Sequence, residues 1–103
     1  MFLNVLAATK VKLEDASNFR AFKVVVAIPN ADLDTVRDAL SGIAVLPDRE
    51  TAWVSEQALR AWPDVAHDTT WQDALTAMIA KARPHGWVDD AAKSIKAHVE
   101  WTA

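Results

Sequence analysis

The alternation near the end of the sequence constrains the fold more than any other feature. Apolar residues occupy every second position from Ile95 to Trp101, and the positions between them hold Lys96, His98 and Glu100. Successive side chains of a strand point to opposite faces of a sheet, so this pattern predicts a strand with one buried face and one hydrated face. We therefore expect a sheet that is covered on one side only.

A second strand is predicted over Phe19–Ile28, where both sets of alternating positions are mostly apolar. Such a run is typical of a central strand that is buried on both faces. Pro29 ends this strand. The segment Met1–Leu13 is also predicted to be extended, and the polar residues at 14–18 are predicted to form a turn.

The first predicted helix follows Pro29. Asn30 can cap its free N–H groups, and Gly42 can supply the left-handed residue that follows a helix. After it, Ile43–Leu46 and Thr51–Ser55 are predicted to be two short strands joined by a hairpin loop.

Two further helices are predicted in the second half of the chain. Ser55 can cap a short helix over Glu56–Trp62. Thr70 can cap a longer helix in a capping-box-like arrangement with Asp73, and Pro84 ends that helix.

These elements predict the fold class. From Phe19 onward the order is strand, helix, strand, strand, helix in two pieces, strand, which is the order of ferredoxin-like domains. We predict one α+β domain over residues 1–103, a ferredoxin-like two-layer sandwich from about residue 19 to 101 with an extra N-terminal segment. If the N-terminal segment pairs with Phe19–Ile28, it occupies a position that the ferredoxin-like arrangement assigns to another strand. The alternative fold is a different α+β meander.

Composition excludes several classes of function. The chain has no cysteine, which excludes a disulfide framework, a thiolate metal site and a cysteine nucleophile. The net charge of −3 and the lack of any long basic cluster argue against nucleic acid as a partner. No apolar run approaches the roughly 20 residues that cross a bilayer, so no membrane association is expected and a cytoplasmic location is predicted.

Glycine-rich cofactor loops are also excluded. Only Gly42 and Gly86 are present, whereas phosphate and dinucleotide sites need glycine at several close positions. The histidines have no helical ligand spacing. We therefore predict neither a cofactor nor a metal.

The candidate site residues lie on the hydrated face of the last strand. His98 and Glu100 project from the same face as Lys96, so Glu100 could favour the imidazolium form of His98 for proton transfer. Trp53 would lie on that face too if its neighbours Ala52 and Val54 point towards the helices. The other interpretations of this group are a solvated face, a subunit contact and, with His67 or His85, a metal site.

Two functions from different classes follow. The first is a small interaction or structural protein, a homodimer that pairs through the open face of its sheet, since exposed apolar area there usually marks an interface. Another protein could bind the same surface. The alternative is a small-molecule-binding domain or a cofactor-free, isomerase-like enzyme that uses Trp53, Lys96, His98 and Glu100.

Overall fold

The computed structural model describes residues 1–102, and its main element is a mixed sheet of seven strands that curls into a half-barrel. The strands are β1 (Phe2–Ala7), β2 (Lys10–Glu14), β3 (Lys23–Val26), β4 (Ala44–Val45), β5 (Thr51–Ser55), β6 (Val88–Asp89) and β7 (Ser94–Trp101). Their order across the sheet is β2-β1-β3-β7-β5-β4, and β6 pairs with the first residues of β7.

The ferredoxin-like sandwich predicted from the sequence is wrong. That fold would place β5 directly beside β3 and would make the neighbouring strands antiparallel. Instead, β7 lies between β3 and β5, runs parallel to β3 and is antiparallel to β5. The chain therefore forms a curled mixed sheet with few helices and not a two-layer ferredoxin-like sandwich.

The N-terminal segment explains part of this difference. β1 runs parallel to β3, with Leu3 opposite Val24, and β2 forms a hairpin with β1. Leu3 and Val24 are both fully buried, so this pairing lets β1 and β3 share one apolar surface. β1 thereby takes a place beside β3 that the ferredoxin-like plan gives to another strand.

Three helices connect the strands: α1 (Leu33–Ala39), α2 (Glu56–Arg60) and α3 (Thr69–Ala82), the last followed by one turn of 3-10 helix at Arg83–His85. The cap predicted at Ser55 is confirmed, because its hydroxyl accepts from the Ala58 N–H at 3.2 Å.

The other two predicted caps are wrong, and in each case a nearby aspartate caps the helix. Asp32 caps α1 in place of Asn30, whose φ of +57° is left-handed rather than extended. Hydrogen bonds from Thr35 hold the pKa of the Asp32 carboxyl below its usual value. Asp68 caps α3 in place of Thr70.

The hydrophobic core lies on one face of the sheet, which we call the covered face. The strand residues that are buried there are Leu3, Val5, Leu13, Val24, Val26, Ala52, Val54, Ile95, Ala97 and Val99. They join one cluster with the buried residues of the helices, among them Val36, Leu59 and Leu75. The helices therefore pack against this face.

The opposite face, which we call the open face, carries Lys23, Trp53, Lys96, His98 and Glu100. All of these residues are half-buried or exposed. The alternation predicted for the last strand is thus confirmed over β7, whose buried and non-buried residues alternate from Ile95 to Val99.

Candidate functional site

The candidate site is a cleft at one edge of β7, at the point where the strand paired with that edge changes from β6 to β3. On this edge β6 pairs with Ser94 and Ile95, and β3 pairs with β7 only from His98 onward. Lys96 and Ala97 lie between these two partners. A cleft of about 1080 Å³ opens at this gap and is lined by residues 95–98 of β7.

One wall of the cleft is the face of α3 that lies beside its buried stripe. Ala74, Ala77, Met78 and Lys81 line the cleft, at helical spacings of three, four and seven residues. The buried stripe of the same helix, which contains Trp71 and Leu75, packs into the core. Two of the lining side chains are only methyl groups, so α3 leaves room in front of β7.

The opposite wall is the connection between β2 and β3, residues 15–22, which we call the cleft loop. The indole N–H of Trp71 donates to the Ala16 carbonyl at 2.8 Å, and the Phe19 ring lies 5.8 Å from the Trp71 ring, measured between centroids. The Met1 amine donates to the carbonyls of Asn18 and Ala21 at 2.6 and 3.1 Å. The cleft loop therefore forms hydrogen bonds with α3 and with Met1, the residue directly before β1.

Burial of the Met1 amine has an electrostatic consequence. Desolvation is the largest influence and lowers the pKa of this amine below its ordinary value of 8.0, although the nearby Asp15 carboxylate opposes the shift. The amine thus serves as a partly buried donor to the cleft loop.

The turn after α3 borders the cleft on the side of β6. Gly86 has a φ of +76°, and the rings of His85 and Trp87 stack with centroids 4.4 Å apart. The Lys96 N–H donates to the Trp87 carbonyl at 2.7 Å, which joins this turn to β7. Trp87 is 47% exposed, so a flat aromatic surface borders the opening.

A second contact holds the same turn. The Arg83 guanidinium donates to the Asp90 carboxylate at 2.9 Å, and these hydrogen bonds raise the pKa of Arg83. The Arg83 side chain is therefore engaged in an ion pair with Asp90 beside the cleft.

The charges around the cleft are mostly positive, although the whole chain is acidic. Arg20, Lys81 and Lys96 line it, and Glu50 is the one carboxylate among its lining residues. Within residues 1–102, none of the three cations forms an ion pair. The cleft thus combines apolar walls with three cations that have no carboxylate of residues 1–102 within 4 Å.

The structure brings together some of the site residues predicted from the sequence. Lys96 and His98 both line the cleft, whereas Trp53 and Glu100 do not. Trp53 lies beside Lys96 on the open face, as the register of β5 and β7 shows. Glu100 accepts a hydrogen bond from the Lys23 ammonium at 3.1 Å, so its carboxylate is engaged by Lys23.

Sequence reasoning missed several residues of the cleft. Arg20 and Lys81 have no sequence signal beyond being isolated charges, and Ala77 gives none at all. Trp87 could have been found, because a tryptophan directly after Gly86 has no place in any periodic stripe. Its position became informative only when the strand that follows it was known.

Residues 1–102 contain no group of three or more His, Asp or Glu side chains that could hold a metal ion. Over the same range, every helix is too short or too polar to cross a membrane.

Comparisons with protein-family models, with curated proteins and with solved structures find no match to this chain. The geometry of the cleft and of the sheet is therefore the basis for assigning a function.

Proposed function

We propose that this protein is a small-molecule-binding domain and that the cleft beside β7 is its binding site. The observation that carries the proposal is the cleft of about 1080 Å³ between α3, the cleft loop and the unpaired edge of β7. Ligand sites commonly have volumes of about 300–1,000 Å³, with apolar walls and a few polar groups. The cleft, at about 1080 Å³, is slightly larger than that range.

The arrangement of the walls supports binding. The cleft loop is fixed by Trp71 and by the Met1 amine, so one side of the site is already held in place before any ligand arrives. A site that is formed in advance loses less conformational freedom on binding.

The proposal is limited to binding and does not extend to proton transfer. The predicted acid–base pair needs Glu100 beside His98, but the Glu100 carboxylate contacts Lys23 at 3.1 Å. Proton transfer needs a base and an orienting group within hydrogen-bond reach.

A dye-binding experiment tests the proposal. N-phenyl-naphthylamine is a neutral apolar dye whose fluorescence increases when it leaves water, and its titration gives a Kd. Ala77→Phe should fill the cleft from α3 and weaken binding by about tenfold or more. Ala80→Phe is the matched control, since Ala80 is exposed on the same helix but does not line the cleft.

The result that would overturn the proposal is equal dye binding by the two variants, or no binding by the unmodified protein. Circular dichroism of each variant checks that the fold is intact.

A second candidate function is a homodimer that pairs through the open face. The observation that favours it is Val45, which is 69% exposed and lies directly opposite Trp53 in the β4–β5 pair. Exposed apolar side chains that adjoin one another are typical of interfaces. A second copy would cover both residues through a symmetric contact.

Light scattering after size exclusion tests this second candidate. The dimer hypothesis predicts twice the monomer mass for the unmodified protein and the monomer mass for Val45→Glu. Ala61→Glu, at an exposed position of α2's end, should leave the dimer intact. A monomeric unmodified protein would contradict the candidate.

A further inference from the structure

We infer that the ligand of the cleft is an organic anion, a molecule with an apolar body and a carboxylate, sulfonate or phosphate group. This inference rests on the proposed function, because it assigns a chemical class to the ligand of the same site. Its basis is the contrast between the apolar wall of α3 and the cations around the cleft.

The cations come from three different parts of the chain. Arg20 lies in the cleft loop, Lys81 in the last turn of α3 and Lys96 in β7. A single basic helix face would place its charges together through sequence spacing alone. Here, instead, the fold brings three isolated residues to one cavity.

Four basic residues outside the cleft, in contrast, have carboxylate partners. Lys23, Arg37, Arg60 and Arg83 each lie within 4 Å of a carboxylate of Glu100, Asp34, Glu56 and Asp90, respectively. The three cations of the cleft have no such partner within residues 1–102, and neither do Lys10, Lys12, Arg49 and Lys93, which lie outside the cleft. A bound anion would supply one.

The rest of the cleft indicates the body of the ligand. Phe22 and Met78 are half-buried apolar residues of its walls, and Ala97 is buried at its floor. An inorganic anion would leave these surfaces in contact with water. An anion with an apolar or aromatic body would cover them and remove that apolar surface from water, which favours binding.

Two dyes with the same carbon skeleton distinguish the requirement for a negative charge from the requirement for an apolar body. Anilinonaphthalene sulfonate carries a negative charge, and N-phenyl-naphthylamine is its neutral counterpart. We expect the charged dye to bind about tenfold more tightly at low salt, and we expect this preference to shrink as the salt concentration rises.

Charge-removing variants identify the groups responsible. Lys81→Gln and Lys96→Gln should each weaken binding of the charged dye about fivefold relative to binding of the neutral dye. Lys93→Gln is the matched control, because Lys93 is an exposed lysine near β7 that does not line the cleft.

The outcomes distinguish this inference from the proposed function. Equal binding of both dyes, sensitive to Ala77→Phe but not to the lysine variants, would overturn the anion preference and retain the binding site. Loss of sensitivity to Ala77→Phe for both dyes would overturn the binding site itself, and the anion preference with it.

Discussion

The two faces of the sheet are built from the same strands but contribute differently to the protein. On the covered face, Val24 and Val99 are neighbours and almost completely buried. On the open face, the residues next to them along the same strands are Lys23, His98 and Glu100, all partly or largely exposed. The comparison shows that the covered face supplies stability, while the open face can vary in chemistry at little energetic cost.

Adjacent valines of β3 give the sharpest test of this comparison and the largest expected effect. Val24→Ala should lower the free energy of unfolding by about 2–3 kcal/mol, because it removes buried methyl groups and leaves a cavity. Val25→Ala should cost about 1 kcal/mol or less, since Val25 is only half-buried on the open face. Urea denaturation of both variants measures the difference, and equal losses would contradict the assignment of the faces.

The helix α3, which packs against the covered face, also contacts the cleft loop, and Trp71 tests that role with an intermediate effect. Trp71→Phe keeps an aromatic ring beside Phe19 but leaves the Ala16 carbonyl without its indole donor. We expect a loss of about 1–2 kcal/mol in unfolding free energy. Hydrogen exchange should also become faster in the cleft loop, at residues 15–22.

Unchanged exchange in the cleft loop of this variant would show that the Met1 amine alone fastens it. The helix α3 provides an internal control, because its own hydrogen bonds do not involve the indole.

The ion pair of the open face should give the smallest effect. Lys23 and Glu100 contact each other at 3.1 Å, with side chains 36% and 41% exposed. Glu100→Gln should therefore lower the free energy of unfolding by only about 0.5 kcal/mol, and less in high salt. A loss as large as that of Val24→Ala would show that the open face is a second stabilising surface.

The sequence predicted local structure better than it predicted strand order. The β7 alternation and the Ser55 cap depend on neighbouring residues, and both are confirmed. Strand order depends on which apolar surfaces meet across the fold, and periodicity carries no information about partners. β6 was also not predicted, because Val88 and Asp89 belong to no alternating apolar pattern in the sequence.

The candidate site was predictable only where it coincided with a pattern. Lys96 and His98 were identified because they occupy the polar positions of the alternating pattern in β7. Ala74 and Ala77 were not, since their contribution is the absence of bulk on a helix face whose neighbour was unknown. The cleft itself exists because β6 and β3 pair with different parts of β7 and leave a gap between them. This gap is a property of the assembled sheet.

The central position of β7 also determines how this chain can assemble. β7 follows all of its partner strands in the chain, yet within residues 1–102 it is the strand that joins β3 to β5. Before it arrives, the two parts of the sheet are separate and each presents an unpaired edge that can pair with the wrong chain. Folding must then wait for contacts between residues far apart in sequence, so insertion of this strand is the expected slow step and the interval in which aggregation competes.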